Sequence, residues 1–282
     1  MSYRAAIEKA QYLALGQREL YSVVYECEAP AACVLLCGPF ATDRLYSLAG
    51  WVKWGRFLAS RNVLAARFDY TGTGESTGQF SEITFRDWIE DIQQASAWLR
   101  SNYPAGRLVL HGLGMGALLA QKAFAAGSGD ALLMWSPPLR ARDVLKQGLM
   151  ARLSMDMILL KHCERKSAQE YIGQVKAGEP LEVDGYRWSA ELWNSSEALA
   201  LDSACASEGE GVESITGRPW NHIELGENMA PLMRSVNLFR AMNPRAAIVP
   251  EYPLNPDFTE FFGRNLDWIL KRVIQKPEHN HA

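Results

Sequence analysis

The stretch VLHGLGMGALLA, Val109 to Ala120, constrains this chain more than any other. An apolar run meets glycines at 112, 114 and 116 and passes into a helix-forming segment. A buried strand, a very tight turn and a helix start satisfy that order. The spacing is that of a nucleophile elbow, G-x-S-x-G, whose central residue stands in a strained conformation above a strand end. Here the central position is Gly114. Glycine adopts such a conformation with little penalty, so the turn is kept while the hydroxyl is missing. Gly112 and Gly116 leave room for strand and helix to approach closely. The run Gly112–Ala117 also fits G-x-G-x-x-[GA], a dinucleotide-binding pattern. That pattern wants an acidic residue at the end of the next strand, where Met134, Trp135 and Ser136 stand instead.

Strand and helix signals alternate around this turn. Leu20–Glu28 alternates like a half-buried strand, and Ala31–Gly38, Val63–Tyr70, Arg107–Gly112 and Ala131–Ser136 are short, nearly continuous apolar runs. Helices are expected over Tyr46–Ser60, Glu82–Arg100 and Met115–Ala126. In the second of these Trp88, Ile92, Ala95 and Leu99 share a stripe. Buried strands alternating with helices imply a mostly parallel sheet covered on both faces.

The rhythm breaks after Pro137-Pro138. From Leu139 to about Ala200 only helical segments are expected, too many residues for an ordinary connection. The region reads as a cap inserted into one domain spanning 1–282, and its methionines as core packing. Beyond it, Gly211–Gly217 is a candidate strand, Glu227–Met242 a helix, Ala246–Glu251 a strand and Asp257–Ile274 a terminal helix.

A net charge of −3 gives no electrostatic footprint for nucleic acid. The N-terminus has no signal-peptide pattern, and no run reaches the ~18 apolar residues of a spanning helix. A cytoplasmic protein is expected. Five cysteines without a C-x-x-C pair suggest buried reduced thiols rather than a metal or disulfide framework.

Two further segments join the elbow. DYTGTGES, Asp69 to Ser76, resembles the D-x-x-G-x-G-x-S loop of α/β-hydrolases. LLCGPF, Leu35 to Phe40, ends a strand where that fold supplies an oxyanion-hole amide. The three in this order resemble the α/β-hydrolase superfamily, serine-aminopeptidase-like in type. Within it the chain is similar to the exosortase A system-associated hydrolases. Phe40, the DYTGTGES loop, Trp88 with Asp91, GALLA after the elbow and GRPWNHIELGENMAPL carry that similarity. The resemblance implies an exopolysaccharide or protein-sorting setting, and in that group the elbow often departs from serine.

The resemblance also assigns slots. The oxyanion and pocket positions fall on Phe40, Ala41, Met115, Gly112 and Gly116. The acid follows a late strand. If Gly211–Gly217 is that strand, the slot holds Trp220 or Asn221, with no carboxylate before Glu224. The histidine follows the last strand. If that is Ala246–Glu251, the slot Tyr252–Phe258 contains no histidine. All three triad positions are then vacant. A second register makes Leu199–Ala206 the acid-bearing strand, with Asp202 as acid and His222 as base.

The expectation is a pseudo-hydrolase that binds a small molecule or a protein partner, with no cofactor, no metal, no nucleic acid and no membrane span. The alternative is an active ester or amide hydrolase with a displaced constellation around His222. His111 reads as a hydrogen-bonded core residue, His162 as part of a solvated face, and Ser136 as a serine with no base assigned to it.

Overall fold

A run such as Ala32–Cys37, buried at all six positions, has no face to give to water. It needs hydrogen-bonded neighbours at its edges and helices above and below. The computed structural model describes residues 7–16, 18–104, 106–211, 216–225 and 258–274. The described strands are β1 (Ile7–Leu15), β2 (Arg18–Glu26), β3 (Ala32–Cys37), β4 (Val63–Phe68), β5 (Arg107–Leu113), β6 (Ala131–Trp135), β7 (Leu181–Val183), β8 (Tyr186–Trp188), β9 (Gly209–Gly211) and β10 (Trp220–Ile223). Eight of them form one sheet in the order β1-β2-β4-β3-β5-β6-β10-β9. The five from β4 to β10 run parallel, and β1, β2 and β9 run against their neighbours.

The helices are α1 (Ala41–Ala59), α2 (Phe85–Asn102), α3 (Met115–Ala125), α4 (Ala141–Leu159), α5 (Ala168–Lys176), α6 (Ala190–Ser195) and α7 (Thr259–Ile269), the last continued by a π turn over Leu270–Ile274. Two cores result. Trp51 and Trp54 of α1 and Phe261 and Phe262 of α7 cover one face of the sheet, around Trp135. Helices α2 and α3 cover the other with Trp88, Ile92, Leu118 and Phe124, and the segment from α4 to α6 packs onto that same core. Helix α2 starts where the sequence provides a reciprocal cap between Thr84 and Asp87. No helix of the described residues is long and apolar enough to cross a membrane.

The fold is the expected mostly parallel α/β arrangement, with four differences, the first being that the cap methionines Met150, Met155 and Met157, expected as core packing, are exposed. The cap is not all helical. Strands β7 and β8 form a hairpin inside it, turning at Asp184-Gly185, where both residues have positive φ. Three-residue strands are too short to leave a period-2 signal. The late strand beside β6 is Trp220–Ile223, and residues 212–215 of the candidate strand Gly211–Gly217 lie outside the described residues. Trp220 and His222 turn into the core while Asn221 and Ile223 alternate with them, so no apolar run marks the strand. The segment read in the second register as a strand, Leu199–Ala206, contains a 3-10 turn over Ser203–Cys205, and Asp202 caps it by accepting the Ala204 amide. The helix expected at Glu227–Met242, the strand at Ala246–Glu251 and Tyr252–Asp257 of the histidine slot lie outside the described residues.

Candidate functional site

The C-terminal edge of the parallel strands is where loops from neighbouring strands converge. Gly114 follows β5 there and begins α3, with φ 55° and ψ −127°. Its amide donates to the Trp135 carbonyl, and its carbonyl accepts from Ala117. A Cβ built on Gly114 would meet only the Pro39 side chain, at 3.6 Å. Its neighbours have no such freedom. A Cβ on Gly112 would overlap the Ala117 backbone, and one on Gly116 would overlap the Cys37 and Gly38 carbonyls. The flanking glycines are therefore required by contact, and the central one only by its dihedral angles.

Adjacent strands end in the same way. Ala41, which begins α1 after the loop that follows β3, has φ 47°, and Ser136, just beyond β6, has φ 43°. Non-glycine residues there cost of order 1–3 kcal/mol each and persist where surrounding contacts hold them. At Ser136 those contacts are visible. Its amide donates to the Ile223 carbonyl at 2.9 Å, and its Oγ accepts from the Leu225 amide at 2.8 Å. Ser136 thus ties β6 to β10. Met115 lies in the first turn of α3, where an amide has no acceptor within the helix. Phe40 turns its ring into a cluster with Phe80, Phe85, Trp88 and Trp188, at centroid distances of 5.7–6.2 Å. Trp188 belongs to β8, so the cap hairpin packs directly on the loop that follows β3.

The Asp69–Ser76 loop is pinned at several points. The Asp69 carboxylate pairs with Arg44 of α1 at 2.6 Å and accepts the Glu75 amide. Ser76 Oγ donates to the Asp69 carbonyl at 2.6 Å. From α2, Asp91 accepts both the amide and the hydroxyl of Thr71, at 2.8 and 2.9 Å, and the Trp88 indole donates to the Thr71 carbonyl. Burial pushes the Asp91 carboxyl up to about 6, against the pull of these bonds and of Arg18. Gly38, Pro39, Arg44, Asp69 and Tyr70 line a recess beside the elbow. No spacing in the sequence links Arg44 to Asp69.

His222 is buried inside β10. Its Nδ1 faces the Cys205 carbonyl at 2.8 Å and its Nε2 faces the Glu224 carboxylate at 2.8 Å. Both ring nitrogens are engaged by the protein. In register His222 is level with Met134 and, one strand further, with Gly112, two strands from the elbow. Trp220 and Asn221 lie within β10, and the first residue past its end is Glu224, a carboxylate. His111 is fully buried, bonds the Leu133 carbonyl and packs edge-on against Trp135; burial holds its imidazole down to about 3, hence neutral. Among the described residues no group of His, Cys, Asp or Glu could hold a metal ion.

Three of the solved structures similar to the chain illustrate the likeness. A serine hydrolase homologue from Coxiella burnetii is 17% identical over 49% of this chain and 66% of its own, with a TM-score of 0.41. An esterase from Pyrococcus furiosus is 18% identical over 52% and 56%, at 0.44. The Est1E protein of Butyrivibrio proteoclasticus, solved with ferulic acid, is 14% identical over 67% and 70%, at 0.47. The match thus spans less than two thirds of the first two proteins' own length. None of the curated proteins compared with the chain matches it. The serine aminopeptidase (S33) family matches over residues 30–180, more than half of the 282 residues and inclusive of all three loops at the strand ends. The chain belongs to that family of α/β-hydrolases.

Proposed function

We propose that this protein is a non-catalytic member of its family, which uses the cleft around the elbow to bind a small molecule or a protein partner rather than to turn over an ester or amide. The observation that carries the reading is Gly114: the residue at the elbow has the dihedral angles of the turn and no nucleophile. Without an oxygen there, no acyl-enzyme forms, and loss of the serine costs about a million-fold in such enzymes. The reading rests first on the nucleophile; Glu224, the first residue past β10, is a carboxylate near the acid slot, and Tyr252–Phe258 contains no histidine. The engagement of both His222 nitrogens speaks against water activation by that residue, since a general base needs a nitrogen within reach of the proton it takes. We read the setting as exopolysaccharide export or protein sorting, on the strength of the segments shared with the exosortase-associated group. The test is a fluorophosphonate probe and a panel of short and long esters applied to the full chain. No label and no turnover above buffer are expected. A labelled residue in the cleft, or saturable turnover, overturns the reading.

A further inference from the structure

Helix α4 is anchored along most of its length and bare at its end. Leu145 and Leu149 are buried against the domain. Asp156 is the last anchor, accepting from Arg152 at 2.9 Å and from the Tyr171 hydroxyl at 2.5 Å. Beyond it Met157, Ile158 and Leu159 are 60%, 71% and 70% exposed. Steps of 100° spread three consecutive helical residues over about 200° of the circumference within one turn. The tip is therefore an apolar knob rather than a stripe. A flat or grooved protein surface covers one side of such a knob, whereas a fluid surrounds it.

A cationic collar sits directly behind the knob. Arg165 donates to the Leu160 and Met157 carbonyls, which caps the helix and fixes its guanidinium beside the apolar side chains. Lys161 and Lys166 are exposed on either side of the 3-10 turn His162–Glu164, Lys166 donating to the Gln174 side chain of α5 at 2.8 Å. Between 157 and 166 the sequence holds these three cations and one acid, Glu164, whose carboxylate accepts the Lys161 amide; Glu170 of α5 lies near Lys166. The local charge is +2, with His162 neutral, in a chain whose net charge is −3.

We propose that this tip of the cap docks onto a bilayer bearing anionic lipid. Met157, Ile158 and Leu159 enter the boundary between headgroups and acyl chains, and Lys161, Arg165 and Lys166 lie at the phosphates. Exposed apolar residues with adjacent cations bind such surfaces through buried area plus electrostatic attraction, reversibly and without spanning. The inference is independent of whether the cleft is catalytic.

Cys163 provides the probe. It is exposed on the collar, whereas Cys33, Cys37 and Cys205 are buried and Cys27 half-buried, all four with thiols pushed up by burial. The full chain labelled at Cys163 with an environment-sensitive maleimide dye is mixed with vesicles of phosphatidylcholine, alone or with about 30 mol % phosphatidylglycerol. Dye emission should rise and shift to the blue, and the protein should co-sediment, with the anionic vesicles only and less at high salt. Ile158→Ser with Leu159→Ser should lower partitioning at least about ten-fold. Lys161→Gln with Lys166→Gln should lower it about five-fold per cation removed. Unchanged thermal melts show that the variants fold. Equal binding to both vesicles, no binding to either, or anionic binding untouched by the tip variants overturns the proposal. So does a lipid-free, concentration-dependent doubling of mass that quenches or shifts the dye, because a second copy would then cover the tip.

Discussion

At the scale of single residues, the glycines of the elbow divide into two kinds. Gly112 and Gly116 are excluded from carrying a side chain by backbone atoms, and Gly114 is not. Gly116→Ala should therefore lose at least about 2–3 kcal/mol or fail to fold, read by denaturant unfolding, because nearby backbone carbonyls cannot give way as a flexible side chain would. Gly114→Ser should fold, with a loss of about 1–3 kcal/mol from its positive φ. Asp91 sets a pH dependence. Its carboxyl is raised in the folded chain, from 3.8 to about 6, so folding favours its protonated form. The stability it contributes is fully present below about pH 4 and is lost as pH rises through 6. Relative to Asp91→Asn, the wild-type chain should lose stability between pH 4 and pH 7. A difference between the two melts that stays flat across that window would contradict the assignment.

At the scale of elements, legibility followed the length and polarity of each segment. Six-residue apolar strands such as Ala32–Cys37 and the amphipathic helix α2 announce themselves by periodicity. The glycine spacing of the elbow reports its own geometry, and Gly114 has the positive φ of a strained turn. Short or mixed elements do not. The β7–β8 hairpin is three residues a side, and β10 carries Asn221 and His222 in a strand of four. The position of β10 depends on pairing with β6, a long-range contact with no local signature, so Trp220 and Asn221, expected beyond a strand, lie within one. Pairings such as Arg44 with Asp69 were invisible for the same reason. The hairpin also makes a prediction. Trp188 is fully buried and lies against Phe40, so it links cap to domain. Trp188→Ala should cost about 3–5 kcal/mol and expose the segment 139–200 to limited proteolysis. Unaltered protease resistance would show that the cap is held by other contacts.

At the scale of the molecule, the sheet with its two cores does one thing at its C-terminal edge: it holds three neighbouring strand ends in left-handed backbone, at Ala41, Gly114 and Ser136. Contacts across the whole domain maintain that arrangement. Trp135 donates to Asn265 of α7 at 2.9 Å, Trp88 of α2 clamps the Asp69–Ser76 loop, and the cap seats Trp188 on Phe40. The frame of a hydrolase is thus kept by packing that does not depend on a nucleophile. This explains how the chain can remain in its family with glycine at the elbow. The measurement that tests this account most directly is pre-steady-state ester hydrolysis by purified Gly114→Ser beside the wild-type chain. The account predicts a folded variant with no acyl-enzyme burst and, like the wild type, no turnover above buffer, because Tyr252–Phe258 contains no histidine to serve the new serine as a base. A stoichiometric burst followed by sustained turnover would contradict it, since the remainder of a working triad would then be present around the glycine.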